Sequence, residues 1–318
     1  LLKNPFLKNI LKLMIFLDIF RKNKFKKILS LDGGGVRGLA SAIFLKELEK
    51  NTGKKIFDIF DFYIGCSAGG LNALHLVINK SNAKELVSFW SKENLSMSMQ
   101  RSFWNKAIYL NTKPKYNNES RTELLKKYFQ NKLIASAEKP VSVIAYDVEK
   151  RKMRIISSYD TSNISVISAI NATSAAPLYY PTVQIEDGSW LIDGGVVANN
   201  PALIGYNEAL KLFKTSKIKV FSVGTGINRK SLDGKSSSEW GPIGWLRNDI
   251  MNVLAEQYDH EILSDLLNDN YLRVNSPMKN ISNDVDDYSE YNLENIKELG
   301  FRWWEEFGDR SIKFLGIK

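Results

Sequence analysis

Residues 27–53 read KILSLDGGGVRGLASAIFLKELEKNTG, and the way this stretch divides decides the fold. An apolar run, KILSL, stops at Asp32 and three consecutive glycines. Beyond them Leu39, Ile43, Phe44 and Leu48 recur at helical spacing until Gly53 supplies a stop. The order is strand, glycine turn, helix. It returns where FDFYIGC leads into SAGGLNALHLVI, residues 60–78. Further apolar runs, VSVIAYD at 141–147 and IKVFSVGTG at 218–226, alternate with helical patterns. This alternation argues for an α/β domain on a central, mostly parallel sheet.

Working outward, VSVIAYD and RKMRIISSY read as a hairpin around Glu149 and Lys150, and VISAINATSAAP as a helix ending at Pro177. Asp187 and Gly188 form a turn before a strand that ends at Asp193, and a helix starts at Pro201. The aromatic and basic stretch 84–118 has no clear period and reads as a covering segment. Residues 249–318 look helical apart from NYLRVN at 270–275.

With 318 residues and 44% hydrophobic content, the chain can bury the core of one large domain, placed at 26–318. Residues 1–25 form an extension. In it Ile10, Leu11, Leu13, Met14, Leu17 and Phe20 recur at helical spacing beside Lys8, Lys12, Arg21, Lys22 and Lys24, an amphipathic pattern for an anionic membrane surface or for packing on the body. The apolar run is about half the length of a membrane-spanning helix. A cytoplasmic or peripheral membrane location is expected. The single cysteine, Cys66, excludes an intrachain disulfide and a zinc cage, and reads as buried strand packing. Net charge of +9 favours anionic partners, a lipid surface or nucleic acid.

Three glycine-rich turns each follow a strand: DGGGVRG from Asp32, GCSAGG from Gly65 and DGG from Asp193. In an α/β sheet such turns gather at the carboxyl edge, where ligands bind. Gly65 and Gly69 flank Ser67 in a Gly-x-Ser-x-Gly spacing at a strand-to-helix elbow, the place for an exposed nucleophile. Consecutive glycines from Gly33 to Gly35 suit an oxyanion hole or a phosphate cradle. Asp193 supplies a base if it reaches the serine hydroxyl; Asp32 and Asp187 are the other carboxylates at nearby turns. His75 lies about 12 Å along the same helix from Ser67 and cannot be that base. His260 falls on the polar side of a distant helix. Gly33, Gly35 and Gly38 also match a dinucleotide fingerprint, with Asp58 or Asp61 as the acid.

Together with ATSAAPLYYP (172–181), DGGVVANNPALIGYNEA (193–209), SVGTG (222–226), NYLRVN and the acidic DVDDYSEYNLENIKELG (284–300), these turns make the chain resemble the patatin-like phospholipases from about residue 26 to 307. The resemblance implies a three-layer α/β/α fold and hydrolysis of phospholipid or other glycerolipid acyl esters. It implies Ser67 as nucleophile, Asp193 as its partner, and Gly33, Gly34, Gly35, Arg37 and Gly38 as the oxyanion region. Gly65, Gly69, Gly194 and Gly195 flank these residues. No metal or cofactor and no nucleic acid is expected, and an activating partner stays open. Two alternatives remain beside the hydrolase: a lipid-binding module without turnover, and a switched effector.

Overall fold

The computed structural model describes residues 24–101, 113–159, 163–228, 233–241 and 259–317. Five strands pair in parallel in the order β3-β2-β1-β7-β8: β1 (Lys26–Leu31), β2 (Phe62–Cys66), β3 (Val141–Asp147), β7 (Ile218–Val223) and β8 (Tyr271–Val274). Antiparallel strands complete the sheet: β4 (Lys152–Ser157) and β6 (Trp190–Asp193) on β3, and β5 (Val183–Gln184) on β6. The hairpin expected around Glu149 and Lys150 is the β3–β4 pair.

Strand side chains alternate between two cores, as a period of two requires. On one face Leu29, Leu31, Tyr63, Val143 and Phe221 pack beneath α1 (Gly38–Thr52), α2 (Ala68–Ile78), α6 (Val166–Thr173) and α9 (Glu290–Leu315). On the other, Ile28, Phe62, Ile64, Cys66 and Val220 meet Ala202 and Ala209 of α7 (Ala202–Phe213) and Leu263 of α8 (Asp259–Leu267). The result is a three-layer α/β/α sandwich.

One feature of the pairing positions the site. β4 occupies one edge of β3 throughout, so β2 and β6 must share the other. They meet end to end. Cys66 closes β2 opposite Ile144, and Asp193 closes β6 opposite the next residue, Ala145. The residue after β2 and the last residue of β6 are thereby brought together.

Three expectations shift. The covering segment contains two regular helices, α3 (Ala83–Phe89) and α4 (Lys92–Ser98), followed by α5 (Glu119–Phe129). Two turns are too few for a period to register in the sequence; α3 is instead announced by its capping box, Asn82 with Glu85. α6 stops at Thr173, before Pro177, because the Ala175 carbonyl leaves the helix to accept from the Asp193 amide at 3.0 Å. Residues 275–289 are an irregular loop, not helix, as their asparagines, aspartates and Pro277 favour turns. The amphipathic pattern read in residues 1–25 falls almost wholly outside the described residues. Among the described residues, no helix is long and apolar enough to cross a membrane.

Candidate active site

Ser67 sits between β2 and α2 with φ 52° and ψ −121°, a backbone conformation that costs a non-glycine residue of order 1–3 kcal/mol. The surrounding chain enforces it. A Cβ on Gly69 would lie 2.1 Å from the Leu31 carbonyl oxygen, and one on Gly65 would lie 2.2 Å from that of Gly69. Only glycines let α2 start this close to β1 and β2, and the elbow follows from that approach.

Ser67 Oγ donates to Asp193 Oδ2 at 2.6 Å across 126 residues of sequence. Asp193 is buried, and its Oδ1 accepts from the Gly195 amide at 2.7 Å and from the Cys66 thiol at 3.8 Å. Burial pushes the carboxyl up from 3.8 to about 6; the Ser67 hydroxyl, the Gly195 amide and the Arg121 charge hold it from rising further. At neutral pH it is mostly a carboxylate, and more basic than an exposed one. Burial drives the Cys66 thiol well above its usual range, so Cys66 stays neutral.

The turn that follows α6 touches both residues. Thr173 Oγ1 accepts from the Ser67 amide at 3.0 Å, and the Thr173 carbonyl accepts from the Gly194 amide at 3.4 Å. The Asp193 amide donates to Ala175, as above.

The glycine turn divides its amides. Gly33 donates to the Asn199 carbonyl at 3.0 Å, Val36 to Val285 at 2.8 Å and Arg37 to Gly34 at 3.2 Å. The Gly34 and Gly35 amides have no acceptor among the described residues, and both residues line the same pocket as Ser67. Gly35 has φ +58°, and a Cβ there would lie 2.0 Å from the Val285 carbonyl oxygen. Arg37 braces this turn, with Nε donating to the Gly34 carbonyl at 3.2 Å and Nη1 at 3.4 Å from the Met278 sulfur. The Gly38 carbonyl accepts from Asn72, which in turn accepts from the Trp90 indole at 2.8 Å.

The pocket has a volume of about 200 Å³, and its wall is largely apolar: Leu71, Phe89, Trp90, Leu95, Leu124 and Leu125, drawn from α2 to α5. Tyr179 and Tyr180 of the ATSAAPLYYP stretch complete it.

The other sequence candidates lie elsewhere. His75 is buried 2.7 Å from the Ser81 hydroxyl, and burial lowers it to about 4, so it is a neutral core residue. His260 is exposed on α8. Asp32 forms a two-pronged ion pair with Arg273, and Asp187 pairs with Arg154 at 2.9 Å. Asp61 precedes β2 at the opposite sheet edge from the glycine turn, held by Lys26 at 3.0 Å, which removes support from the dinucleotide reading. Thr173, Asn199 and Arg121 escaped sequence reasoning. Arg121 had one signal, its spacing with Leu124 and Leu125 on the buried face of α5.

Residues 29–206 match the family profile described as patatin-like phospholipase. The chain belongs to that family. Patatin-like protein 4 of Arabidopsis thaliana is 30% identical over 342 residues, covering 89% of this chain and 85% of the relative. Patatin-04/09 of Solanum tuberosum is 26% identical, covering 86% and 82%. A cGAMP-activated phospholipase of Pseudomonas aeruginosa is 29% identical, covering 78% and 77%. Membership of the patatin-like phospholipases brings lipid hydrolase activity.

Proposed function

We propose that the protein cleaves fatty acyl esters of glycerolipids, phospholipids among them, through an acyl-serine intermediate. Ser67 Oγ attacks the ester carbonyl carbon while its proton passes to Asp193 Oδ2. The carbonyl electron pair moves onto oxygen, which the Gly34 and Gly35 amides stabilise. Collapse of this intermediate breaks the ester C–O bond, and Asp193 returns the proton to the departing alkoxide. Water then repeats the sequence on the acyl-serine, with Asp193 again as base, and frees the fatty acid and Ser67.

The observation that carries this reading is the 2.6 Å contact between Ser67 Oγ and Asp193 Oδ2 inside a pocket with an apolar wall. A carboxylate serves as base here because burial has raised its proton affinity, and preorganised amides supply much of the remaining barrier reduction. The net charge of +9 suits substrate presented in an anionic bilayer.

Ser67→Ala should keep the fold and lower fatty acid release by roughly four orders of magnitude or more. Asp193→Asn should lower it about 10²–10⁴-fold. A fluorophosphonate probe should label wild-type protein at Ser67. Folded protein that binds lipid vesicles but neither labels nor hydrolyses would be a lipid-binding module, contrary to this proposal.

A further inference from the structure

Arg121 is buried in the pocket wall and has no carboxylate within ion-pair distance among the described residues. A guanidinium so placed needs an explanation, because burying a charge without a counter-ion is costly. Its contacts supply one. Nη1 donates to the Ser174 carbonyl at 3.0 Å and to its hydroxyl at 3.1 Å. Nη2 donates to the Asn171 carbonyl at 3.3 Å and to Asn118 Oδ1 at 2.8 Å. The guanidinium carbon lies 3.8 Å from the centre of the Tyr180 ring. The fork therefore grips the last carbonyls of α6, where a cation is favoured by the helix dipole. Those carbonyls flank Thr173 and Ala175, the residues that hold the Ser67, Asp193 and Gly194 amides.

Building on the hydrolase reading above, we propose that Arg121 is the positioning residue that sets the Ser67–Asp193 distance through the 171–175 turn and, as a buried cation lining the same pocket, offsets the charge of Asp193. The first role requires the planar fork, whereas the second requires only a cation. Among the described residues, the other charged groups lining the pocket are Arg37, turned to the Gly34 carbonyl and the Met278 sulfur, and Asp286, paired with Lys115. Toward Asp193, β2 presents the neutral Cys66 thiol, α2 the Ser67 hydroxyl and β3 the uncharged Ile144 and Ala145; the 171–175 turn carries no ionisable side chain. Asp32, at the end of β1, is neutralised by Arg273. Arg121 and Asp193 line the same pocket, and the Arg121 charge favours the carboxylate form of Asp193.

The two roles separate in kinetics on a soluble short-chain p-nitrophenyl ester, with active sites titrated by fluorophosphonate. Arg121→Lys keeps charge and loses the fork: kcat per titrated site should fall about tenfold while the acid limb of kcat/KM stays in place. Arg121→Gln loses both: kcat should fall about 10²-fold and the acid limb should move up by roughly one pH unit, with KM little changed. If activity per titrated Ser67 and the limb both match wild type in Arg121→Gln, the proposal is overturned. A loss that tracks only the fraction of folded sites, with the limb fixed, would reduce Arg121 to packing and overturn it equally. Should neither variant fold, Asn118→Ala frees Nη2 without removing the charge; a several-fold lower kcat supports the positioning role, and an unchanged kcat refutes it. Wild-type protein that neither hydrolyses nor labels would instead defeat the hydrolase reading, and the role of Arg121 with it.

Discussion

Asp193 is subject to opposing demands. As a base it must be ionised, yet its burial penalises the carboxylate and lifts the group from 3.8 to about 6. The unfolded chain gives up this proton near 3.8, so between the two values the folded form holds a proton that the unfolded form has lost. The stability from this group is therefore full below about pH 4 and declines as pH rises through about 6, by roughly 3 kcal/mol in all. Asp193→Asn removes the ionisation and leaves Oδ1 to accept from Gly195. We expect this inactive variant to melt above wild type at pH 7.5, with the difference vanishing toward pH 4. Parallel melting curves across that range would show that the surroundings compensate the buried charge fully. Activity should follow the reverse trend: kcat/KM for wild type should fall as pH drops through about 6, where Asp193 becomes protonated.

At the scale of elements, the site depends on two strand ends meeting along β3, and this geometry explains what the sequence revealed. Each strand was legible by its own apolar run, and each turn by its glycines, because such signals are local. The end-to-end meeting of β2 and β6 was not, since it depends on which edge of β3 the β4 hairpin takes. The family resemblance points to Asp193 among three carboxylates; in the structure Asp193 is the one bonded to Ser67, while Asp32 is held by Arg273 and Asp187 by Arg154. The two-turn helices α3 and α4 were missed, although with α5 they form much of the apolar wall. Leu124 lies in that wall, nearly inaccessible to solvent. Leu124→Trp should fill part of the pocket and shift preference toward shorter acyl chains, lowering kcat/KM for a dodecanoyl ester about tenfold or more while a butanoyl ester changes little. A chain-length series of p-nitrophenyl esters would read this directly, and an unchanged ratio would show that the acyl chain takes another path.

Across the whole molecule, the glycine turn is held by parts of the chain that lie beyond the matched family segment. That segment ends at residue 206, before β7, which pairs with both β1 and β8. Just after β7, Thr225 donates to the Gly33 carbonyl at 2.6 Å. β8 supplies Arg273 to the buried Asp32, and the loop after it supplies the Val285 carbonyl to the turn. α9 then covers α1, with Trp303 fully buried and its indole N–H donating to the Ser276 hydroxyl at 2.9 Å. A chain ending at residue 216 would leave the edge of β1 unpaired, Asp32 without its counter-ion and the apolar face of α1 uncovered. Such a fragment should accumulate as aggregate, because an open apolar edge recruits other chains. Trp303→Ala in the full chain gives the graded version: removing a buried indole should cost about 3–5 kcal/mol, read from the denaturation midpoint. Activity per folded molecule should fall less than stability, since Trp303 does not line the pocket. A soluble fragment that melts cooperatively and still labels at Ser67 would mean that residues up to 216 suffice to hold the glycine turn, and that the C-terminal third does not brace it.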